Sequence, residues 1–438
     1  MARVLVLGAG FAGLWAALGA ARKRDEIGTR ADDTDILVVD RNAYHNIRVR
    51  NYEVDLSDVA LPLDGLLDPV GVRHMVADIE AIDPAKRQVK VGTGAGKEVL
   101  GYDRLVLTTG SELVRPAIPG LAAHGFDVDT YAAAIELDAH LAALGKQQPS
   151  EERSTVVVVG AGFTGIEVAT EMPDKLARAG ITGDRRIILV DPNPVVGTTF
   201  GAHGRPVINE ALSALGVATR LNAKVSAIDA TTITLGSGEI IPTQTVVWCA
   251  GMRASPLAAS LPIARDSLGR LTVDHFMRAD GLAGVFAAGD VASCLIDGQH
   301  ATVMSCQFAR PMGRFAGHNV IADIFDEPLL PLTIDWYVTV LDLGASGALY
   351  TTGWDREVRT TGAAAKLTKQ TINRERIYPP RSADRTELLA AAAPTIQAPP
   401  PTRTQSNENL SVVIARSEAT KQSMPPQVEK WIASLRSQ

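Results

Sequence analysis

Short apolar runs without a polar interruption are the main pattern along this chain. Val4 to Leu7 and Val156 to Val159 each precede a glycine, and the runs DILVVD and RIILVD each end in an aspartate, Asp40 and Asp191. Runs of four or five apolar residues that do not alternate with polar ones are typical of parallel strands buried on both faces. The pattern predicts an α/β fold in which such strands alternate with helices.

Two copies of a glycine-rich loop follow the Val4 and Val156 strands. In VLVLGAGFAG and VVVVGAGFTGIE the glycines have the spacing of a dinucleotide-binding loop, at Gly8, Gly10 and Gly13 and at Gly160, Gly162 and Gly165. The first glycine permits the turn, the second lets a pyrophosphate approach the helix N-terminus, and the third lets the helix pack on the strand. Two such loops predict two Rossmann-like domains and two bound dinucleotides, with electron transfer between them.

The two aspartates complete the predicted sites. Asp40 and Asp191 follow their loops at the spacing at which a carboxylate binds the ribose 2′-hydroxyl. Asp191 is followed by Pro192-Asn193-Pro194, with no arginine placed to bind a 2′-phosphate. The second site is therefore predicted to prefer NADH to NADPH, although either aspartate could simply begin a polar loop.

Each unit also contains a strand that ends in a turn of small residues. Tyr102 to Leu107 leads into Thr108-Thr109-Gly110-Ser111, and Thr245 to Trp248 leads into Cys249-Ala250-Gly251. Small residues let a backbone pass close to a cofactor. A later strand ends in Gly289 and Asp290, whose carboxylate could bind a ribityl or pyrophosphate group, and a helix is predicted from Pro311 to Phe325.

This order of elements predicts the domain organisation. A discontinuous first domain is predicted over residues 1–113 and 253–329, an inserted second domain over 114–252, and a small C-terminal domain over 330–381. From Ser382 the chain is rich in proline, alanine and polar residues, as in APTIQAPPPTRTQSNENLS. Such a composition buries too little apolar surface to fold, so residues 382–438 are predicted to be disordered.

Composition narrows the range of partners. The 438 residues carry a net charge of −6 and no basic block, so nucleic acid is not expected to bind. Three cysteines without a CxxC or CxxxxC pair argue against a disulfide framework and a dithiol relay, and no histidine cluster has metal-binding spacing, so no metal is predicted. The first strand begins almost at the N-terminus, which indicates a cytoplasmic protein without a signal peptide.

The motifs resemble those of the FAD-dependent pyridine nucleotide-disulfide oxidoreductases and, within them, the type II NADH dehydrogenases (NADH:quinone oxidoreductases). The resemblance covers roughly residues 1 to 380 and rests on VLGAGFAG, YDRLVLTTGS, VVVVGAGFTGIEVATEM, VVWCAG and VFAAGDVA. It implies that the first loop binds FAD and the second binds NADH. The missing redox disulfide fits this branch, because electrons leave it directly from the flavin.

The resemblance also suggests site residues. The candidate cofactor-binding residues are Gly8, Gly10, Phe11, Ala12, Gly13, Asp40, Arg41, Thr109, Gly110, Gly160, Gly162, Phe163, Thr164, Gly165, Glu167, Asp191, Gly251, Gly289 and Asp290. Glu167 is also a candidate catalytic residue that orients the hydride donor, or it merely complements the helix dipole, an effect of about 0.3–1 kcal/mol. Glu171, one turn later, lines the same groove or forms a surface pair. Gln307, the second catalytic candidate, matches a glutamine on the quinone side of the family.

Two stretches depart from the family pattern. In Cys306-Gln307-Phe308-Ala309-Arg310-Pro311 the proline occupies the place of a second glutamine. After His45, Arg48 and Arg50 replace apolar residues near the predicted flavin, which suits an anionic or polar acceptor unless both arginines point to solvent. His45 is either a proton donor to the reduced flavin or an ordinary loop residue.

The cysteines admit a further alternative. Cys249 is expected to be a small buried hydrophobe. Cys294 and Cys306 flank the predicted flavin face, as cysteines do in sulfide:quinone oxidoreductases, but their spacing does not match that group.

The predicted reaction is hydride transfer from NADH to FAD, followed by transfer of two electrons to a small acceptor, a quinone by resemblance. One alternative is an NADH-dependent reductase of a soluble protein such as a ferredoxin, which would dock on Arg48 and Arg50. Another is a flavoprotein that senses NADH without turnover. The resemblance implies a homodimer and leaves open peripheral contact with the inner face of the cell membrane, since no amphipathic C-terminal helix is evident.

Overall fold

The computed structural model describes residues 2–401. Its α-helices are α1 (Phe11–Ile27), α2 (Asp64–Leu67), α3 (Leu121–His124), α4 (Tyr131–Leu144), α5 (Glu151–Ser154), α6 (Phe163–Arg178), α7 (Gly201–Ala214), α8 (Cys306–Ile324), α9 (Gly362–Thr371) and α10 (Arg385–Ala391). A π-helical turn, Ile372–Arg376, continues α9.

The strands follow the alternation that the apolar runs predict. In chain order they are β1 (Arg3–Leu7), β2 (Asp35–Asp40), β3 (Tyr44–Asn46), β4 (Ala60–Pro62), β5 (Arg73–Val76), β6 (Asp78–Asp83), β7 (Gln88–Thr93), β8 (Gly96–Gly101), β9 (Arg104–Leu107), β10 (Ser111–Leu113), β11 (Gly125–Phe126), β12 (Thr155–Val159), β13 (Arg186–Val190), β14 (Val217–Arg220), β15 (Val225–Ile228), β16 (Thr232–Leu235), β17 (Ile240–Pro242), β18 (Thr245–Trp248), β19 (Met252–Ala254), β20 (Leu271–Thr272), β21 (Val285–Ala287), β22 (Ala292–Ser293), β23 (Val338–Asp342), β24 (Ala348–Thr352) and β25 (Glu357–Thr361).

The first parallel sheet has the strand order β21-β9-β1-β2-β5. The glycine-loop strand β1 lies in its middle, so that Leu7 pairs with Val39 on one side and Leu107 on the other. Every residue of β1 after Arg3 is buried, as expected for a strand covered on both faces. Because β21 comes late in the chain, this sheet is assembled from two separated stretches.

The second parallel sheet repeats the arrangement in the order β11-β18-β12-β13-β14. Its glycine-loop strand β12 is again central, with Val159 between Val190 and Trp248. The three-stranded antiparallel sheets β6-β7-β8 and β15-β16-β17 extend the repeat, and the antiparallel pair β10-β19 links the two units. The predicted α/β fold with two Rossmann-like units is confirmed, whereas the domain limits stay predictions.

The C-terminal part consists of the antiparallel sheet β23-β24-β25 with α9 packed on it. Trp336 and Tyr337 directly precede β23.

Helix α8 packs closely against α1 and begins at Cys306, before the predicted start at Pro311. Glycines permit this approach, since a Cβ at Gly313 or Gly317 would lie 2.3 Å or 2.1 Å from a backbone oxygen of α1. Proline is common at the first helical position, but here Pro311 is tolerated inside the helix. As a consequence Cys306 and Gln307 lie at the helix N-terminus.

The prediction of disorder from residue 382 is wrong for residues 382–401. Asp384 caps α10 by accepting a hydrogen bond from the Glu387 N–H (2.9 Å), and Leu388 and Leu389 are buried in the core of the first sheet. Arg385 pairs with Asp25 of α1 at 2.6 Å. The polar composition of the whole segment concealed a helix of about two turns with an apolar face. The remainder of the predicted tail, residues 402–438, lies outside the described residues.

Candidate active site

The first glycine loop has a geometry that only glycines permit. Gly8 has φ +102°, and a Cβ there would lie 2.7 Å from the Thr108 carbonyl oxygen. A Cβ at Gly13 would lie 1.7 Å from the Gly8 oxygen, so the third glycine lets α1 pack on β1. Asp40 Oδ2 accepts a hydrogen bond from the Ala9 N–H at 2.7 Å, which places this carboxylate beside the loop.

The second loop reproduces the first almost atom for atom. Gly160 has φ +108°, and a Cβ at Gly165 would lie 1.7 Å from the Gly160 oxygen. Asp191 Oδ2 accepts from the Ala161 N–H at 2.6 Å, as Asp40 does from Ala9. The two predicted dinucleotide loops therefore have the same backbone geometry, and each has an aspartate that accepts a hydrogen bond from a loop N–H.

Several buried polar atoms near the first loop have no partner among residues 2–401. They are His45 Nε2, Thr109 Oγ1, Ser305 Oγ and Gln307 Nε2. A buried polar atom without a hydrogen bond costs about 1–3 kcal/mol, so such a cluster marks a place where a polar ligand belongs. A flavin nucleotide, with a polar ring edge and ribityl hydroxyls, has the groups to satisfy them.

His45 is held as a neutral acceptor. Its Nδ1 donates to the Ala9 oxygen at 2.8 Å, which fixes the tautomer and leaves Nε2 with a lone pair. Burial lowers the pKa of His45 to about 4. An uncharged ring whose N–H is already engaged cannot readily donate a proton, so the proton-donor alternative for His45 is not supported.

Asp290 lies in a network that the sequence did not reveal. Its Oδ2 accepts from Ser111 Oγ at 2.7 Å, and Arg48 Nη1 lies 3.9 Å away. Arg48 also donates to Ser111 Oγ at 2.9 Å and pairs with Asp129. Ser111 could have been found from its place after the Gly110 turn, but no pattern marks Asp129. Burial raises the pKa of Asp290, while Arg48 opposes the shift.

The expectation that Arg48 and Arg50 face an acceptor or the solvent is wrong for Arg50. Arg50 is 3% exposed and binds Glu53 at 2.7 Å, Asp58 at 2.5 Å and the Tyr378 hydroxyl. Arg48 is largely buried among carboxylates as well. Both charges are neutralised internally, so they do not form a basic docking patch.

Glu167 is buried, with 4% of its surface exposed. Its Oε1 accepts from Lys369 Nζ at 2.7 Å and from the Asp342 N–H at 3.0 Å. Burial raises the pKa of Glu167 to about 7, against the lowering effect of Lys369. A surface acid that merely complements the helix dipole would be exposed, so that alternative does not apply.

Lys369 is the partner of Glu167 that the sequence analysis missed. It is buried on α9, 202 residues after Glu167, where no local pattern connects the two. Its Nζ donates to the Val340 oxygen at 3.1 Å and lies 5.7 Å above the Tyr52 ring. Glu171 accepts weakly from the Val54 N–H at 3.3 Å and is part-buried, so it lines this groove rather than forming a surface pair.

The N-terminus of α8 lies where the two units and the C-terminal part converge. Arg310 and Lys369 lower the pKa of the Cys306 thiol and Asp290 raises it, which places this helix start within electrostatic reach of all three. Burial is the largest effect and raises the pKa of Cys306. Cys306 packs with Phe11, Ala134 and Ile377, so Gln307, the next residue, starts at the same junction.

The thiols of the other two cysteines also have raised pKa values, which makes them poor nucleophiles. Burial raises the pKa of Cys249 and raises that of Cys294 to about 12. All three thiols are free, and reactive cysteines usually have lowered pKa values. These values favour electron transfer without a cysteine relay.

The remaining predicted contacts lie at positions consistent with loops and turns. Phe11 and Phe163 begin α1 and α6, each followed by a second helical residue, Ala12 or Thr164, and Gly110, Gly251 and Gly289 have positive φ. Arg41 has an exposed side chain near the exposed Asp78, at 3.6 Å.

An apolar cavity adjoins Gln307. Its walls come from α8, from residues 334–338, from the π-helical turn and from residues 396–400. Within the described chain, residues 2–401, no helix is long and apolar enough to span a membrane, and no group of three or more His, Cys, Asp or Glu residues could hold a metal.

Comparisons with known proteins agree with this geometry. A family model described as pyridine nucleotide-disulphide oxidoreductase matches residues 2–313. The chain is 54% identical over 403 residues to a NADH dehydrogenase-like protein of Mycobacterium tuberculosis, covering 91% of this chain and 100% of that protein. It is 27% identical over 379 residues to the demethylphylloquinone reductase NdbB of Synechocystis sp., covering 84% and 91%. NDH2 from Plasmodium falciparum has the same fold, with a TM-score of 0.71 at 13% identity over 92% of this chain and 100% of that chain.

The resemblance predicted from the glycine loops and the small-residue turns is thereby confirmed. The predicted enzyme class is confirmed as well, because the match extends over nearly the whole chain. The protein belongs to the pyridine nucleotide-disulphide oxidoreductase family and is an NADH dehydrogenase-like oxidoreductase.

Proposed function

We propose that the protein oxidises NADH with FAD as its cofactor and delivers two electrons to a quinone, without a redox disulfide. The observation that carries this proposal is the duplicated loop-and-aspartate geometry, in which Asp40 and Asp191 each accept a hydrogen bond from a loop N–H. When bound, FAD accepts hydride and releases electrons, which is chemistry that side chains alone cannot perform. The protein supplies binding, orientation and electrostatics.

The first unit is proposed to hold the FAD. The N-terminus of α1 would face the pyrophosphate, and Asp40 would accept from the ribose hydroxyls. His45 Nε2 and Thr109 Oγ1 would gain the hydrogen bonds that they lack within residues 2–401. Asp290 and Ser111, already hydrogen-bonded at 2.7 Å, would receive further polar groups of the cofactor.

The second unit is proposed to bind NADH. Asp191 is buried beside the Ala161 N–H and would accept from the ribose 2′-hydroxyl. A 2′-phosphate would meet this carboxylate as a like charge, and no arginine follows it in the sequence. The name of the mycobacterial relative agrees with this preference.

Glu167 is proposed to orient the nicotinamide and to balance its charge. The ring becomes positive as hydride leaves, and an ionised carboxylate nearby stabilises that change. Lys369 holds the carboxylate at 2.7 Å and fixes its position. The pair therefore acts at the face where the donor lies, while Gln307 acts toward the acceptor.

A quinone is the acceptor that the cavity beside Gln307 suits best. The cavity wall is largely apolar, and the amide of Gln307 can donate to a quinone carbonyl. The relative from Synechocystis is named as a reductase of demethylphylloquinone. A soluble protein acceptor is not favoured, because the arginines that could have docked it are paired internally.

The test is anaerobic stopped-flow spectroscopy in two mixing steps. NADH should bleach the flavin band, and a short-chain quinone should then restore it. Gln307→Ala should slow the second step about tenfold, the loss of one hydrogen bond of about 1.4 kcal/mol, and leave the first unchanged. Gln148→Ala, at an exposed position, is the matched control. Bleaching without reoxidation by the quinone would refute the proposed acceptor.

A further inference from the structure

Two arginines on α8 are buried without an acidic partner. Arg310 is 7% exposed and Arg314 is 4% exposed. They are four residues apart and so lie on the same face of the helix. Within residues 2–401 neither forms an ion pair with a carboxylate, although buried arginines are almost always paired.

Most N–H donors of these two guanidinium groups have no hydrogen-bond acceptor within residues 2–401. Arg310 Nη1 donates to Gln397 Oε1 at 3.2 Å, while its Nε has no acceptor. For Arg314, the described residues provide no acceptor, and its Nε is buried. Both groups lie over the Trp15 ring, at 5.3 Å and 4.2 Å from its centre. Each guanidinium has five N–H donors, so most of this donor capacity is free for a ligand.

The other residues that line the cavity add positive charge and provide no carboxylate to balance it. Arg310 and Arg314 line the cavity beside Gln307, together with a third arginine, Arg376. Among the residues that line this cavity there is no aspartate or glutamate. Burial and the neighbouring arginines lower the pKa of Arg310 to about 10 and that of Arg314 to about 9. Buried charges of one sign without a counter-charge are costly, so an anion that joined these arginines would stabilise the arrangement.

We propose that this cavity binds an amphiphilic anion, with a carboxylate or phosphate group between Arg310 and Arg314 and an apolar body against Ile334, Val338 and Ile377. The planar donor fork of arginine matches both anions. In the absence of an anion, the exposed Gln397 accepts a hydrogen bond from Arg310, and the anion would replace it as the acceptor. A soluble aromatic or aliphatic acid and a lipid headgroup both present this chemistry, and the vesicle experiment below distinguishes them.

This inference concerns binding and goes beyond the proposed reaction. The cavity also adjoins Gln307, so an anionic ligand would occupy or compete for the proposed acceptor position. Binding to the oxidised holoprotein requires neither NADH nor turnover. A failure of the anion site and a failure of the proposed quinone chemistry are therefore separable.

The experiment is isothermal titration of the oxidised holoprotein with 2-naphthoate and with its uncharged analogue 2-naphthamide. We expect naphthoate to bind at least about tenfold more tightly, as befits a charge-assisted hydrogen bond. Gln397→Glu places a carboxylate beside Arg310 and should weaken naphthoate about tenfold while sparing naphthamide. Gln148→Glu adds the same charge at an exposed position away from the cavity and should change neither.

Arg314→Gln should also remove the preference for naphthoate, with flavin content as the check on folding. If that variant does not fold, Gln397→Glu decides, because Gln397 is exposed. Vesicles of phosphatidylglycerol that displace naphthoate, when phosphatidylcholine vesicles do not, would assign the anion to a lipid; no displacement would assign it to a soluble acid. Equal affinity for naphthoate and naphthamide, or naphthoate binding unaffected by both substitutions, would overturn the proposal.

Discussion

The two glycine-loop units have the same backbone geometry but differ in what surrounds them. In both, a carboxylate accepts a hydrogen bond from the loop N–H, at 2.7 Å for Asp40 and 2.6 Å for Asp191. Neutral atoms without partners, such as His45 Nε2 and Thr109 Oγ1, lie near the first loop. Beside the second helix lies a charged pair, Glu167 with Lys369. The fold thus provides two equivalent binding loops, and the side chains around each loop determine which dinucleotide it suits.

The difference follows from which elements cover each unit. The first is covered by β3 and by α8, whose buried groups suit a permanently bound cofactor. The second meets the C-terminal part, which brings Lys369 and the Asp342 N–H to the first turn of α6. A substrate that gains positive charge as it reacts needs a nearby negative charge, whereas a resident cofactor needs many neutral hydrogen bonds.

The largest effects should come from substitution of the third glycine of each loop, because the two variants should lose different functions. Gly13→Ala should lower the flavin content about tenfold or more, because its Cβ would lie 1.7 Å from a backbone oxygen and such overpacking costs 1–3 kcal/mol or more. Gly165→Ala has the same clash but should retain flavin and lose reduction by NADH. Absorbance spectra and NADH titrations measure both.

Gly183→Ala, where a Cβ would meet nothing within 4 Å, is the control for this pair. Loss of flavin in both loop variants would contradict the assignment of one cofactor to each unit.

The aspartates should show the same division more weakly. Asp191→Ala should raise the Kd for NADH about tenfold to a hundredfold, because a hydrogen bond to a charged group contributes about 1.5–3 kcal/mol. Asp40→Ala should weaken flavin retention by a similar factor with little effect on NADH. Equilibrium titration of each variant is the measurement, and an unchanged Kd for NADH in Asp191→Ala would argue against its ribose contact.

A pH profile should show the charge at Glu167. Since burial raises its pKa to about 7, Glu167 is mostly protonated at about pH 6 and mostly ionised at about pH 8. The ionised form stabilises the positive nicotinamide, so the rate of flavin reduction by NADH should rise several-fold across that interval. Glu167→Gln should remove the step and leave a slow, pH-independent rate. A step that survives in Glu167→Gln would assign it to another group.

The smallest effect is expected at Cys306. Its thiol is buried with a raised pKa, so Cys306→Ala should change either half-reaction by less than about twofold. A loss of NADH-dependent flavin reduction in this variant would revive a cysteine relay of the sulfide:quinone oxidoreductase kind.

Local patterns were sufficient to predict the parallel sheets and the loops. The glycine spacings and the runs Val4 to Leu7 and Val156 to Val159 encode steric requirements within about thirty residues, and the structure contains both as predicted. Glu167 could be chosen because it follows such a loop directly. The sequence also allowed Gln307 to be chosen, but only through resemblance.

Long-range contacts were beyond the reach of the sequence. Lys369 meets Glu167 across 202 residues, and the burial of Arg50 depends on Tyr378, 328 residues later. Helix α10 was missed because the prediction rested on the average composition of the segment. Leu388 and Leu389 are buried through specific packing against the core of the first sheet. Such contacts are settled by packing, which a single sequence does not display.

The most direct test of the account is anaerobic titration with NADH of a variant in which Cys249, Cys294 and Cys306 are all replaced by alanine. The two-loop account predicts a flavin band in the purified protein and its complete bleaching by NADH at close to the wild-type rate. A protein without a flavin band, or a cysteine-free variant that retains flavin and resists bleaching, would contradict it.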